Sequence, residues 1–277
     1  MEKKSDSKYF GRYQLETKLG TGGMGDVYKA YDPSLKRHVA LKILRYENPE
    51  VLARFLREAR AQAKVEHAHI CNIYEAGEIQ NRHYIAMQYI EGKTLTQLRN
   101  DLTLDEKTRI MMGVALGLHA AHRQGLIHRD VKSSNIILNL SEDGQWKPFV
   151  MDFGIAREQS APGITSTGMV VGTPYYMSPE QAKGKINDID RRSDIYSMGI
   201  TLFELLSGEV PFKGDTPVDI LMKIIQKDPP PLRKVNPRIP VDLETIVMKC
   251  IEKDPNRRYS SAKELAEDLQ HYLDGDP

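Results

Sequence analysis

The sequence predicts an α+β fold with a small antiparallel β N-lobe carrying one helix and a larger, mainly helical C-lobe. In the first third, short runs of β-branched, aromatic and aliphatic residues alternate with Gly, Asp and Pro. From about Glu91 onward, apolar residues recur at helical spacing instead. We therefore expect two lobes joined near Gln88 to Gly92, with a crevice suited to a small ligand.

The N-lobe elements follow one another closely. Strands are predicted at YQLETKLG, GDVYKAYD, HVALKIL and HYIAMQYI. Between the third and fourth strands, PEVLARFLREARAQAKVEH predicts the one helix, with Pro49 just before its start. Six of its apolar residues recur at helical spacing: Val51, Leu52, Phe55, Leu56, Ala59 and Ala63.

The C-lobe is predicted to be a series of helices. They lie at TLTQLRN, DEKTRIMMGVALGLHAAHRQ, RRSDIYSMGITLFELLSG, PVDILMKIIQK, VDLETIVMKCIEK and AKELAEDLQHYL. Ser207 and Gly208 predict the end of the third. Before Asp152, the segment NLSEDGQWKPF carries Pro148 and predicts the tip of an extended β-hairpin.

Composition limits the classes of function. The chain has 277 residues, a formal net charge of +1, 40% hydrophobic and 28% charged residues. Near-neutral charge gives no reason to expect nucleic acid or an anionic membrane as a partner. Cys71 and Cys250 lack metal-ligand spacing, so we expect buried free thiols in a reducing compartment. The start, MEKKSDSKYF, has no apolar core of a signal peptide, and no apolar run is long enough for a membrane span.

A glycine-rich stretch, LGTGGMGDV, joins the first two strands. Gly20, Gly22 and Gly25 have the spacing GxGxxG, and glycines let backbone N–H groups approach an anion closely. From the residues alone, two interpretations of this motif are equally supported: a phosphate-binding loop and a hairpin that binds no ligand. A dinucleotide fold is disfavoured, because strand-like DVYKAYD follows the last glycine where that fold needs a helix.

Two charged residues of the N-lobe have alternative interpretations. Lys42, in the apolar run VALKIL, is either an edge-strand lysine facing solvent or an inward cation for phosphates. Glu58, in the following helix, is the candidate partner of Lys42. It could equally be a solvated glutamate pairing with helix arginines.

Polar residues also cluster in the C-lobe. The stretch GLIHRDVKSSNIIL places five strongly polar side chains between two apolar segments: His128, Arg129, Asp130, Lys132 and Asn135. It is either a solvated turn or a catalytic loop. Asp152, in FVMDFGIAR, is either a turn former or an oxygen ligand for Mg²⁺.

Taken together, these motifs resemble those of the eukaryotic-like protein kinases. The glycine loop with Val27, then VALK, Glu58, HRDVKSSN, DFG and SPE occur in the order and spacing of that family. The resemblance runs from about Tyr13 to about Tyr272 and is strongest to bacterial serine/threonine kinases. It implies the two-lobed protein-kinase fold, in which the N-lobe helix is regulatory.

The resemblance implies catalytic roles. Asp130 would be the base that accepts the substrate hydroxyl proton, with Lys132 beside the transferred γ-phosphoryl. Asn135 and Asp152 would hold Mg²⁺, with Mn²⁺ as the alternative metal. Lys42 would contact the α- and β-phosphates and be held by Glu58. His128 and Phe153 are interpreted as packed structural residues.

It also implies an ATP site. Residues of the glycine-rich loop would cover the phosphates: Gly20, Thr21, Gly22, Gly23, Met24 and Gly25. Val27, Ala40 and Ile137 would sandwich the adenine, and Met87 would wall the pocket. The backbone at Gln88 and Ile90 would bond the edge of the base.

Substrate class and regulation follow from the same resemblance. Lys132 and GTPYYMSPE resemble serine/threonine rather than tyrosine kinases, and Thr173 would bond Asp130 and Lys132 in a docking floor for protein substrates. Ser134 stands where kinases favouring basic substrates often carry an acid. Arg129 beside the base implies a phosphorylated loop. We expect autophosphorylation, helped by dimerisation, at one of four candidates: Thr165, Thr167, Ser166 or Ser160.

Two scaffold features are implied as well. Glu180 and Arg258 resemble a buried ion pair that braces the large lobe. Asp194 resembles the acid at a helix start that anchors the backbone of the catalytic loop. The usual Ala-Pro-Glu is Ser178-Pro179-Glu180 here, a mild change.

Two rival functions remain at this point. A pseudokinase scaffold would have lost the lysine, the base or the metal-binding acid, and none is lost. A small-molecule phosphotransferase would have no use for the peptide-docking segment GTPYYMSPE.

The expected organisation has three parts. An N-terminal extension, 1–12, precedes a kinase domain, 13–272, and a tail, 273–277. The domain divides into an N-lobe at 13–87, a hinge at 88–92 and a C-lobe at 93–272. We expect a cytoplasmic catalytic segment without membrane or nucleic-acid contact. We also expect it to be a piece of a longer protein, other parts of which could tether it to a membrane.

Overall fold

The computed structural model describes residues 9–22, 25–45, 49–153 and 174–276. It divides into two compact units. The small unit comprises Met1–Glu66 and Cys71–Glu91, and the large unit comprises His67–Ile70 and Gly92–Pro277. Each unit is therefore discontinuous in the sequence.

The small unit contains a six-stranded antiparallel sheet with the strand order β1-β2-β3-β4-β6-β5. Its strands β1 to β6 are Tyr9–Phe10, Tyr13–Gly22, Gly25–Asp32, Arg37–Leu44, Ile73–Ile79 and Arg82–Gln88. Strands β2, β3, β4 and β6 occupy the four predicted runs. The sequence did not predict β5, because IYEAGEI lacks the alternation of apolar and polar residues that marks a half-buried strand.

One apolar cluster packs against a face of this sheet. Its buried members come from five strands: Phe10, Tyr13, Ala30, Val39, Leu41, Ile43, Tyr84 and Ala86. Helix α1, Pro49–Gln62, buries Phe55 and Ala59 at the predicted helical spacing. The Gln62 side-chain amide donates to the carbonyl of Cys71 at 3.3 Å, which fixes the end of α1 to the residues before β5.

The large unit carries a three-stranded antiparallel sheet, β7-β8-β9, formed by Lys93–Thr94, Ile136–Leu140 and Trp146–Val150. Strands β8 and β9 form the predicted hairpin. Pro148 lies in β9 opposite Leu138, and β9 is an edge strand, where a residue without an N–H is tolerated. The Pro148 carbonyl accepts from His69 Nδ1 at 3.0 Å, so the proline also holds the short segment His67–Ile70.

Helices form the rest of the large unit. In chain order, α2 to α9 are Leu95–Leu98, Leu104–Arg123, Pro179–Ala182, Arg191–Ser207, Pro217–Gln226, Leu232–Val235, Val241–Cys250 and Ala262–Asp274. Six of them occupy the predicted helical runs. The sequence did not predict α4 and α7, each of which is a single turn too short to show a period. Among the described residues, no helix is long and apolar enough to cross a membrane.

Helix α5 lies at the centre of the large unit. Every residue from Ser193 to Leu206 is buried, including the charged residues Asp194 and Glu204. The Asp190 side chain caps its start and Gly208 ends it at φ +84°, where the sequence predicted a stop. Gly199 lets α8 approach, because a Cβ there would lie 2.5 Å from the Cβ of Cys250.

Candidate active site

The glycine-rich hairpin joins β2 to β3, with Gly22 paired to Gly25. Gly25 is required by the fold: its φ is +151°, and a Cβ would lie 2.1 Å from the carbonyl oxygen of Ile43. Added Cβ atoms at Gly20 and Gly22 would meet nothing within 4 Å. The fold therefore does not require these two glycines, and the space beside them is open. Gly23 and Met24 lie outside the described residues.

Lys42 is buried in the small unit. Its strand β4 lies between β3 and β6, and only 7% of the residue is exposed. The alternative of an edge-strand lysine facing solvent is therefore wrong. Lys42 pairs across the sheet with Val27, and Ala40 lies two residues earlier on the same face. Glu58 is half-buried on α1, and its pairing with Lys42 stays a prediction.

The predicted hinge begins at the end of β6. Met87 and Ile90 are buried, and Gln88 is half-buried. The N–H of Gln88 donates to the carbonyl of Asn72 at 2.8 Å. That donor is used inside the small unit. The Gln88 carbonyl accepts from Cys71 Sγ at 3.5 Å, and its second lone pair suits an additional hydrogen bond.

In the large unit, the predicted catalytic residues Asp130 and Lys132 and the predicted metal ligand Asn135 lie together between α3 and β8. Lys132 Nζ is 2.9 Å from Asp130 Oδ2. The side-chain amide of Asn135 donates to the Asp130 carbonyl at 2.8 Å and to Oδ2 at 3.3 Å. Both donors orient the Asp130 carboxylate, and Ile137 follows at the start of β8.

Asp194, on α5, holds the backbone of this loop. Its carboxylate accepts from the N–H groups of His128 and Arg129 at 2.8 and 2.7 Å and from His122 Nε2 at 2.7 Å. Burial alone would raise the pKa of Asp194, but His122 and the His128 N–H hold it below its ordinary value. Arg129 has φ +64°, a strained conformation that these bonds stabilise. The predicted anchoring role of Asp194 is confirmed.

His128 connects this loop to the segment that carries Asp152. Its Nδ1 accepts from the N–H of Asp130 at 3.2 Å, and its Nε2 donates to the carbonyl of Met151 at 2.9 Å. In this arrangement Nδ1 is the acceptor and Nε2 is the donor of the ring. The ring also packs on Phe153, with the centroids 4.5 Å apart. His128 is fully buried, in agreement with the structural role expected for it.

Asp152 follows β9 and has φ +50°, so its backbone is strained as well. The N–H of Met151 donates to the carbonyl of Asn135 at 2.9 Å, which places the two candidate metal ligands on adjoining segments. An exposed carboxylate and an amide oxygen suit a hard divalent cation. Among the described residues, no group of three acidic, His or Cys side chains could hold a metal alone. Phosphates and water would supply the other ligands, as Mg²⁺ prefers.

Sequence reasoning missed a polar network around Glu204 of α5. Glu204 accepts from Arg99 at 3.0 Å, from the Ser133 hydroxyl at 3.1 Å and from the Tyr176 hydroxyl at 2.8 Å. Ser133 in turn accepts from Thr96 at 3.0 Å. The one feature of the sequence that could have indicated this network is an acid inside the apolar run GITLFELL. The partners of that acid lie too far away in the sequence to be inferred.

The predicted ion pair between Glu180 and Arg258 is confirmed. Arg258 Nη1 and Nη2 donate to the two carboxylate oxygens at 2.8 and 2.9 Å. Burial would raise the pKa of Glu180, but Arg258 and the Ser193 hydroxyl hold it below its ordinary value. Arg258 also donates to three backbone carbonyls, so the pair joins α4 to the segment before α9.

Besides Gly23 and Met24, five predicted residues lie outside the part of the chain that the structure describes. They are the phosphorylation candidates Ser160, Thr165, Ser166 and Thr167 and the docking residue Thr173. Their roles stay predictions.

Residues 13–271 match the family of the protein kinase domain. This chain belongs to the protein kinase family. The resemblance stated from the motifs and the predicted kinase fold are therefore confirmed.

Curated relatives include kinases of several bacteria. A probable serine/threonine-protein kinase of Clostridium acetobutylicum is 42% identical over 266 residues, covering 94% of this chain and 40% of the relative. Serine/threonine-protein kinase PrkC of Bacillus subtilis is 39% identical over 272 residues, covering 96% and 41%. This kinase chain thus spans about two fifths of the length of these relatives.

A solved structure agrees with the fold. The kinase domain of Mycobacterium tuberculosis PknI superposes with a TM-score of 0.75 at 28% sequence identity, over 96% of this chain and 98% of that domain. The likeness extends over nearly the whole length of both kinase domains.

Proposed function

We propose that this protein kinase transfers the γ-phosphoryl group of ATP to serine and threonine hydroxyls of proteins. The observation that carries the proposal is the orientation of Asp130 by Lys132 and Asn135, in a loop that Asp194 anchors. An anchored carboxylate with a cation beside it suits removal of a proton next to developing negative charge. The kinase domain is proposed to span 13–272.

Asp130 acts as the base in this proposal. Its carboxylate accepts the proton of the substrate hydroxyl while the hydroxyl oxygen attacks the γ-phosphorus. The bond from the γ-phosphorus to the bridging oxygen breaks, and ADP leaves with that oxygen. Lys132, 2.9 Å from Asp130 Oδ2, neutralises the charge that spreads over the phosphoryl oxygens. Thr173 completes the floor on which the substrate hydroxyl lies.

The small unit binds the nucleotide in this proposal. Lys42 supplies the cation for the α- and β-phosphates, oriented by Glu58, and the residues of the glycine-rich loop from Gly20 to Gly25 cover them. The burial of Lys42 and the open space at Gly20 and Gly22 support these roles. Val27 and Ala40 pack on the adenine beside Met87, and the backbone of Gln88 and Ile90 bonds its edge. The adenine contact of Ile137, which belongs to the large unit, stays a prediction.

The family uses ATP with a divalent metal, which we propose to be Mg²⁺, with Mn²⁺ as a substitute. Asn135 and Asp152 would hold it through oxygen atoms. The metal would supply charge neutralisation and orientation of the phosphates. Asn135 Nδ2 is already used on Asp130, which turns its amide oxygen to the role of ligand.

We further propose autophosphorylation in the segment that carries Ser160, Thr165, Ser166 and Thr167, assisted by dimerisation. Arg129, next to the base, would pair with the phosphate. The whole protein's substrates, partners and cytoplasmic location are proposals too.

The Asp130→Asn variant tests the proposed function. We expect the rate of autophosphorylation to fall by about 10²–10⁴-fold, because asparagine keeps the shape of the side chain but accepts no proton. The measurement is intact mass against time after dephosphorylated protein receives Mg²⁺ and ATP, followed by mapping of the phosphopeptides. Thermal unfolding should be nearly unchanged.

Asp188→Asn is the matched control. It removes an exposed carboxylate 3.4 Å from Lys185 Nζ and should leave the rate unchanged. Equal rates in Asp130→Asn and wild type would contradict the assignment of the base. If neither protein gained phosphate while ATP still bound, the chain would be a nucleotide-binding scaffold instead.

A further inference from the structure

Asp26, the second residue of β3, has three partners at the glycine-rich hairpin. The Thr21 hydroxyl donates to Oδ1 at 3.0 Å, Lys18 Nζ lies 2.7 Å from Oδ1, and Arg45 Nη2 lies 2.5 Å from Oδ2. Asp26 is only 7% exposed. One buried carboxylate therefore joins β2, β3 and the residue after β4.

Strand register places this cluster behind the proposed nucleotide site. Thr21 lies opposite Asp26 on β2, and Asp26 lies opposite Ile43, a member of the apolar cluster of the small unit. Val27 and Lys42, the next pair along the two strands, occupy the other face of the sheet. Asp26 thus acts on the hairpin from the face that ATP does not contact.

The hydrogen bond from Thr21 to Asp26 matters because of where Thr21 lies in the hairpin. Thr21 stands between Gly20 and Gly22, two residues whose backbone has more freedom than that of any other residue type. A hydrogen bond from the one side chain between them restricts both. Lys18 and Arg45 hold the acceptor in place, and together they hold the pKa of Asp26 well below its ordinary value, so its charge persists at every pH at which the enzyme would work.

We propose that Asp26 is a positioning residue that fixes the glycine-rich hairpin in the geometry that binds ATP. The inference rests on the proposed function, because it assigns that hairpin to the phosphates. Asp26 contacts neither the nucleotide nor the reacting atoms. It acts through Thr21 and, by way of Arg45, through the end of β4.

Asp26→Asn is the primary variant, since it removes the charge and keeps the size. We expect the KM for ATP in autophosphorylation to rise about threefold to tenfold, with a smaller change in the maximal rate, because loss of a brace weakens binding more than chemistry. ADP binding by calorimetry should weaken by a similar factor. The melting temperature should change little, because both cations are half-exposed.

Salt and a double variant separate this role from a general structural one. Raising the salt concentration from about 0.05 M to about 1 M should bring the ATP KM values of wild type and Asp26→Asn together, because exposed cations are screened. Arg45→Met should raise the KM alone but add little to Asp26→Asn, since the two residues share one interaction. Asp219→Asn, which loses an exposed ion pair with Lys223 on α6, should behave as wild type.

An ATP KM within twofold of wild type in a folded Asp26→Asn would overturn the inference. If Asp26→Asn fails to fold, the variants Lys18→Met and Arg45→Met test the inference instead. Unchanged ATP KM values in both variants would overturn the inference. A raised ATP KM in either variant would support it. If the increases in ATP KM caused by Asp26→Asn and Arg45→Met are additive in the double variant, the two residues do not act through one shared interaction. A wild-type chain that transfers no phosphate would instead contradict the proposed function.

Discussion

Glycines of the same motif have different roles at the scale of single residues. Gly25 is required by the backbone, since its φ is +151° and the Ile43 carbonyl leaves no room for a Cβ. Gly20 and Gly22 have open space at that position. The motif predicted all three as one unit, because spacing carries no information on dihedral angles or on neighbours from another strand.

This difference gives a prediction. Gly25→Ala should destabilise the chain by about 1–3 kcal/mol or more, because alanine is strained at that φ and meets the Ile43 carbonyl. Gly22→Ala should leave the melting temperature within about a degree of wild type or raise it slightly, because alanine restricts the unfolded chain.

In the proposed ATP site, Gly22→Ala should instead raise the ATP KM about tenfold. Thermal unfolding and ATP-dependent rates measure the two effects. An equal loss of stability in both variants would show that Gly22 is also required by the fold.

The residue scale also shows which parts of the site the sequence could indicate. Asp130, Lys132 and Asn135 lie within six residues of one another, so their proximity follows from the chain itself. The contact of His122 with Asp194 spans 72 residues and depends on how α3 packs on α5. Local pattern cannot predict such a contact, although the family resemblance did predict that Asp194 anchors the loop.

At the scale of elements, the pair Glu180–Arg258 fixes the junction between α4 and the segment before α9. Arg258 is fully buried in its side chain, and Glu180 is 7% exposed. Breaking a buried pair by removing one partner leaves an uncompensated charge, which typically costs about 3–5 kcal/mol.

Arg258→Met should therefore destabilise the chain by about 3–5 kcal/mol at pH 7 and by less near pH 5. In wild type, the pKa of Glu180 is lower in the folded chain than its ordinary value of 4.5, so the pair stabilises the fold at any pH above 4.5. That stabilisation is lost as the pH falls below 4.5 and through the lowered pKa. In the variant, burial without Arg258 raises the pKa of Glu180 above 4.5, so the folded state takes up a proton first and gains stability as the pH falls.

Urea unfolding at several pH values measures this effect. The difference between wild type and Arg258→Met should narrow from pH 7 toward pH 5. Lys263→Met, which removes an exposed pair with Glu267, should cost less than about 0.5 kcal/mol and show no such trend. A difference that stayed constant with pH would mean that lost packing, rather than the unpaired carboxylate, causes the destabilisation.

Whole elements were predictable where their patterns were long. Helices α3, α5 and α9 follow runs of helical spacing, and β2, β3, β4 and β6 follow runs rich in strand formers. Strand β5 and the single-turn helices α4 and α7 were not predicted. Strand β5 forms because β6 supplies partners for its backbone, and that information is absent from a window of a few residues.

At the scale of the whole molecule, burial is uneven. Residues 193–206 of α5 are all buried, whereas β2 is exposed from Glu16 to Gly22. Amide hydrogens with no local route to solvent exchange only when the chain unfolds globally.

We therefore expect the amides of α5 to be the slowest to exchange, at the rate set by global unfolding, and those of β2 after Glu16 to exchange much faster. Hydrogen–deuterium exchange with peptide resolution measures both. Mild denaturant should lower the free energy of exchange in α5 with the same slope as the global free energy of unfolding. Exchange of α5 as fast as that of β2 would contradict a central role for this helix.

The overall fold was predictable because motifs spread over some 260 residues resemble one family, and that resemblance fixes the topology. The sequence did not predict which residues belong to each of the two compact units. The residues His67–Ile70 lie between α1 and β5 in sequence, yet they belong to the large unit. Their contacts with Pro148 and Val150 span some 80 residues.

The assignment of His67–Ile70 to the large unit limits how chimeric chains can be built from the two units. A fragment ending at Glu91 would carry His69 and Ile70 away from Pro148 and Val150, exposing an isoleucine that is 1% accessible in the intact chain. A chimera that swaps units with a relative therefore needs three junctions, at 66/67, 70/71 and 91/92, rather than one at the hinge.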